Sequence, residues 1–125
     1  MGPEEISRQL RGHTVVVELR FFADLEAGTS FLSVDLAEDE SATASVVCVE
    51  FEGVLGLTLK EFGGGITQLL DLRIEDVSGA QWDRIAYSVT DIEKDRLRLL
   101  CRDIRIARRY LRGEAGARRG QGAAE

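Results

Sequence analysis

The feature that most constrains this chain is a period-two alternation of apolar and polar residues, running with short interruptions from His13 to Ile106. Successive side chains of a strand point to opposite faces, so this rhythm marks strands that each bury one face. His13–Phe22 (HTVVVELRFF) places Val15, Val17, Leu19 and Phe21 on one face and Val16, Glu18, Arg20 and Phe22 on the other. Phe31–Leu36 sets Leu32, Val34 and Leu36 against Phe31, Ser33 and Asp35. Thr43–Glu52 is rich in β-branched residues, and Val54–Glu61 sets Leu55, Leu57 and Leu59 opposite Gly56, Thr58 and Lys60. Leu70, Leu72 and Ile74 alternate with Asp71, Arg73 and Glu75, and Ile85, Tyr87 and Val89 with Ala86, Ser88 and Thr90. The final run opens with Leu97, Leu99 and Cys101 in one phase and resumes at Ile104 and Ile106 in the other. A one-residue slip flips every side chain, so a β-bulge near Arg102–Asp103 is the simplest repair; a strand that changes sheets gives the same pattern.

Between the runs stand DLEAGTS, AEDESA, FEGV, FGGGI, SGAQWD and DIEKD, short turn-forming stretches of the kind that join antiparallel neighbours. No segment of helical period separates the strands, which disfavours a parallel βαβ architecture. The expected fold is mainly β: a single-domain antiparallel β-sandwich or open barrel of about seven strands in mostly up-and-down order. Residues 1–12 are expected to hold a short helix, with Pro3 in its first turn and Glu4 and Glu5 at its positive end. The domain proper is expected over 13–107, followed by a flexible basic Gly/Ala/Arg tail over 108–125.

Composition narrows the function classes. The 125 residues carry a formal charge of −6, but unevenly: residues 1–100 hold 9 basic and 19 acidic side chains, residues 101–125 hold 7 and 3. An acidic body repels nucleic acid and anionic membranes and favours a cationic partner, so nucleic-acid binding by the C-terminal arginines is disfavoured. One histidine, His13, and two separated cysteines provide neither a catalytic triad nor a zinc pattern. Glu38-Asp39-Glu40 lacks the calcium-loop spacing, and Gly63-Gly64-Gly65 lacks the ending of a phosphate-binding loop and reads as a hairpin tip. No catalytic residue, metal or cofactor is therefore assigned, and the protein is expected not to be an enzyme. Cys48 and Cys101 lie in apolar runs, where a free thiol behaves as a small hydrophobe, and no run reaches the roughly 18 apolar residues of a membrane span. A reducing cytoplasm is the expected location.

In an up-and-down order, alternate turns lie at one end. The AEDE turn (Glu38, Asp39, Glu40) and the DIEKD turn (Asp91, Glu93, Asp95) are then expected to share an end with Glu61, offset in part by Lys94 and Arg96. Clustered like charges gain nothing for folding, so the cluster serves either solubility or the docking of a basic surface, for which these six acids are the expected partner-binding residues. A β-barrel holding a small apolar molecule is the alternative reading, and a homodimer through a strand edge is compatible with both.

FEGVLGLTLKEF (51–62), ITQLLDLRIED (66–76) and YSVTDIEKDRLRLLCRDIRI (87–106) together resemble a pattern in small bacterial immunity proteins. The likeness is greatest to the immunity protein 50 group and related β-rich proteins. It rests on Phe51, Gly53, Val54, Leu55, Leu57, Leu59 and Phe62, and covers roughly residues 45–107. The resemblance implies a cytoplasmic protein that neutralises a cognate toxin of a polymorphic-toxin locus by binding it. Many such toxins are nucleases with basic clefts, which suits an acidic inhibitor.

Overall fold

Residues 2–80 and 85–113 are described by a computed structural model. The helix α1 (Pro3–Leu10) leads into the strands β1 (Val15–Asp24), β2 (Thr29–Ala37), β3 (Ser45–Glu52), β4 (Leu55–Leu59), β5 (Leu72–Asp76), β6 (Tyr87–Asp91), β7 (Leu97–Cys101) and β8 (Asp103–Leu111), with a 3-10 turn at Ser78–Ala80. They form two four-stranded sheets, ordered β1-β2-β3-β8 and β4-β7-β6-β5, and the pairings are antiparallel. The sandwich reading is the one realised; the sheets do not close into a barrel.

One core joins the sheets. Leu32, Val34, Leu36, Val47, Val49 and Phe51 project into it from the first sheet, and Ile74, Val89, Leu97, Leu99 and Cys101 from the second. Ile6 and Leu10, four residues apart on one face of α1, and Leu69 complete it. The space that a barrel ligand needs is therefore filled by side chains. A cleft of about 570 Å³ at the β1–β2 turn, lined in part by Leu25, Ser30 and Leu55, lies at the surface instead.

The topology decides one open reading and corrects two expectations. Of the two readings of the phase change after Cys101, the change of sheets is the one realised and the bulge is not: β7 pairs with β4 and β6, β8 pairs with β3, and the chain passes between sheets at Arg102. Leu97, Leu99 and Cys101 face the core from one sheet, Ile104 and Ile106 from the other, which is why the phase inverts. Eight strands result among the described residues, and the connections from β3 to β4, β4 to β5 and β7 to β8 depart from a mostly up-and-down order. Alongside, β3 passes to β4 through Gly53, whose φ of 69° suits glycine and whose added Cβ would lie 3.0 Å from Arg102 Cβ. The Arg102 N–H donates to Glu52 O at 2.9 Å, so the two crossings brace each other.

The β1 alternation is also broken. A register shift between Val16 and Glu18 inserts an extra residue, so Val15 and Val17 pack on the outward side with Ala37, Val46 and Tyr110, while Val16 and Leu19 pack on the core. Finally, Gly63-Gly64-Gly65 is not a hairpin tip. β4 and β5 are opposite edges of their sheet, and the segment between them crosses its end. There the N–H groups of Val16 and Leu69 donate to Thr67 O and Thr14 O at 2.9 and 2.8 Å. At the C-terminus β8 runs to Leu111, four residues beyond 107; residues 114–125 lie outside the described residues.

Both cysteines are buried and free. Burial pushes the Cys48 thiol up to about 12, with the Asp35 carboxylate adding to it, and burial with the charge of Asp103 pushes Cys101 to about 12. Raised folded-state values favour the protonated thiol, so this contribution to stability is complete below about pH 9 and is lost as pH rises towards 12. At pH 8 a thiol reagent is expected to label neither cysteine in the native protein and both in urea. Rapid native labelling would contradict this packing.

Candidate functional site

The acidic turns come first because the chain itself builds them. Ala37 pairs with Val46 and Ser45 with Leu111, which places the 38–44 turn at the end of the first sheet away from the Gly53–Arg102 corner. Asp91 pairs with Leu72 and Leu97 with Leu59, which places the 92–96 turn at the end of the second sheet away from the same corner. The 61–70 segment links these ends: it bonds to β1 as above, and its Gln68 O accepts from Arg96 Nη1 at 3.2 Å.

Within the turns the six acids differ sharply. Glu38, Asp39 and Glu40 are exposed. Glu38 Oε1 accepts the Ser45 N–H at 3.2 Å, and Asp39 Oδ1 accepts the Ser41 N–H at 2.8 Å. The backbone bond to Ser41, then the side-chain one, hold the Asp39 carboxyl below the usual range, so it stays charged. Arg112 Nη1 donates to the carbonyls of Glu40 and Ser41 at 2.6 and 3.1 Å, bringing one cation to the tip. A cleft of about 320 Å³ separates Asp39 and Glu40 from Gly65 and Ile66.

In the second turn, Glu93 is exposed, but Asp91 is fully buried. Its Oδ2 accepts the Arg96 N–H at 3.2 Å and its carbonyl the Asp95 N–H at 2.9 Å, so it shapes the turn from inside. Asp95 pairs with Lys60 and Arg98, each at 3.0 Å, and the Lys60 bond holds its carboxyl below the usual range. Glu61 lies 3.8 Å from Arg96 Nε. Of the six acids, Glu38, Asp39, Glu40 and Glu93 therefore carry the free negative charge at this end, with exposed Asp71 beside the second turn, where its carbonyl accepts the Ile92 N–H at 3.0 Å.

A second arrangement was not legible in the alternation. On the outward face of the first sheet the register aligns Glu18, Asp35, Cys48 and Arg108 in one row, and Arg20, Ser33, Glu50 and Arg105 in the next. Asp35, an outward polar residue by its phase, is 1% exposed. Its Oδ2 accepts a short hydrogen bond from the Tyr110 hydroxyl and lies 3.8 Å from Arg108 Nη2. The Arg108 guanidinium itself sits 4.6 Å from the Tyr110 ring centre. Long side chains from β8 thus cover a carboxylate that the pattern leaves open to water.

The C-terminal arginines follow the same logic. Arg102 pairs with Glu52 and Arg105 with Glu50, each at 2.6 Å, and Arg109 donates to Gln9 on α1. The basic run is spent largely on the protein's own acids and amides. His13 is similarly engaged, Nδ1 lying 3.1 Å from Arg11 O and Nε2 3.3 Å from Ser45 Oγ. Among the described residues, no three or more His, Cys, Asp or Glu side chains are grouped to hold a metal ion, and no helix is long and apolar enough to cross a membrane.

Compared with models of known families, residues 14–107 match the family described as Immunity protein PIM8. The match begins well before the stretch at about residue 45 where the sequence pattern becomes suggestive, and it takes in both sheets. No curated protein and no solved structure matches the chain.

Proposed function

Because the chain belongs to the immunity protein PIM8 family, we propose that it neutralises a cognate protein toxin by binding it directly, without chemistry of its own, in the cytoplasm of the bacterium that makes it. Family membership carries the reading. The end built by the two acidic turns supplies the contact for a basic toxin surface, through Glu38, Asp39, Glu40 and Glu93. Asp91 and Asp95, buried and paired respectively, hold the second turn in shape. Exposed charges of one sign steer association more than they tighten the final complex, and salt screens them over about 8–10 Å.

The test begins with the toxin-like reading frame expected beside the gene. Co-expression with this chain is expected to restore growth, and the purified proteins to form a stable complex. Replacing Glu38→Gln, Asp39→Asn, Glu40→Gln and Glu93→Gln together is expected to slow association at low salt by about tenfold and to flatten its salt dependence. Full protection with an unchanged, salt-sensitive rate would remove the acidic turns from the interface while leaving toxin binding intact. Failure of the unaltered chain to bind or protect would overturn the function itself.

A further inference from the structure

The two sheets present four edge strands, and they are not equivalent. β4 and β5 are five residues each. β8 carries Arg105, Arg108 and Arg109, which would oppose like charges if it paired with itself. β1 is the longest, at ten residues. Its first residues are taken: Val15 bridges to Gln68 and the Val16 N–H donates to Thr67 O. From Leu19 to Asp24, past the irregularity at Val17, no strand among the described residues pairs with the outer edge.

That stretch is lightly protected for an open edge, with Arg20 and Asp24 its only charges and the irregularity at Val17 lying before it. It contains no proline or lysine, and it exposes Phe21 by 51%, Phe22 by 50% and Leu25, in the following turn, by 89%. On the outward face Phe22 stacks on Phe31 at 4.9 Å, so the sheet ends in an aromatic shelf. We infer that this edge pairs with a second copy of the chain, β1 against β1 antiparallel, with Phe22 on the two-fold axis.

Within the Leu19–Asp24 stretch itself, one register sets opposite charges together. With Phe22 opposite Phe22, Arg20 of each copy faces Asp24 of the other, Phe21 faces Ala23, and Leu19 faces Leu25. Both charge pairs are complementary and related by the axis, as an isologous interface requires. Arg20 already lies on this face, held 3.0 Å from Glu18, and Asp24 uses one oxygen on the Ala27 N–H, leaving the other for the pair. Moving the register by two residues so that Phe21 meets Phe21 sets Glu18 against Asp24, and pairing about Arg20 sets the two arginines together. In the favoured register the rings of Phe31 and Phe22 continue into Phe22 and Phe31 of the second copy, and the two first sheets become one sheet of eight strands.

This inference is independent of toxin binding, and its readout is mass. Sedimentation equilibrium of the full chain across roughly 1–300 µM is expected to move from 13.8 kDa to twice that value. Arg20→Asp, an exposed substitution, is expected to weaken self-association about tenfold with an unchanged circular dichroism spectrum, because it sets two acids against two acids. Phe22→Cys tests the register: opposite residues of antiparallel strands lie within disulfide range, so mild oxidation is expected to give a covalent dimer. Ala23→Cys, one residue off the axis, is expected to give none. A mass of 13.8 kDa throughout the range overturns the self-pairing and leaves the edge to another occupant, such as a strand of the toxin. A dimer that cross-links through Ala23→Cys, or fails to through Phe22→Cys, overturns the register.

Discussion

Phe51→Ala is expected to destabilise the fold by about 3–5 kcal/mol, read as a lower urea midpoint at an unchanged slope. Among the described residues Phe51 is the largest fully buried side chain, and it stands near the end of β3, just before the chain crosses to the second sheet at Gly53. Its neighbours across the ladder, Leu32 and Ile104, are buried too, so truncation leaves a void lined from both sides that the sheets cannot close without moving the corner. For a domain of this size the loss is a large share of total stability, which is about 5–15 kcal/mol in ordinary proteins. Phe51→Leu, which keeps most of the volume, is expected to lose less than half as much. Equal losses for the two would show that the site collapses freely, against the packing described above.

Ile6→Ala is the second large effect, at about 2–5 kcal/mol. α1 lies outside the residues matched by the family model, and its eight residues are too few to be stable alone. Yet Ile6 is fully buried and Leu10 nearly so, in the same core as Val34 and Leu99. The helix is therefore a cover for the sandwich, held by burial of Ile6 and Leu10 and, beside that face, by the hydrogen bond from Arg109 to Gln9. The exposed Arg8→Ala, which removes only the surface pair to Glu5, is expected to change stability by less than about 1 kcal/mol. If Ile6→Ala proves as mild as Arg8→Ala, the helix contributes little to the fold.

The two expectations differ in how far they were legible. Phe51 belongs to a run rich in β-branched residues that reads as a strand from its composition alone, although Val46, Val47, Cys48 and Val49 are all buried and the run shows no clean alternation. The burial of Ile6 has no such local signature: eight residues with two apolar positions fit an exposed helix equally well. The acidic turns divide in the same way. That Glu38–Glu40 and Asp91–Asp95 are turns follows from composition, but nothing local separates Glu93, exposed, from Asp91, buried and bonded to the Arg96 N–H. That difference depends on the phase in which β6 enters the core, where Tyr87, Val89 and Asp91 share a face and the strand ends one residue too late to leave the acid in water.

What the sequence determined by itself is a mainly β domain, its strands and turns, the inward faces of most of them, and a charge divided between an acidic body and a basic end. These are local or additive properties, written in side-chain period and count. Only the tertiary structure decided that Arg102 is a passage between sheets, that Val17 inverts the phase of β1, that Asp35 is covered by Tyr110 and Arg108, and that the arginines of β8 answer the protein's own acids. Each of these joins residues far apart in the chain, and strand pairing at that distance is chosen by the burial of the whole core, not by any one segment's pattern.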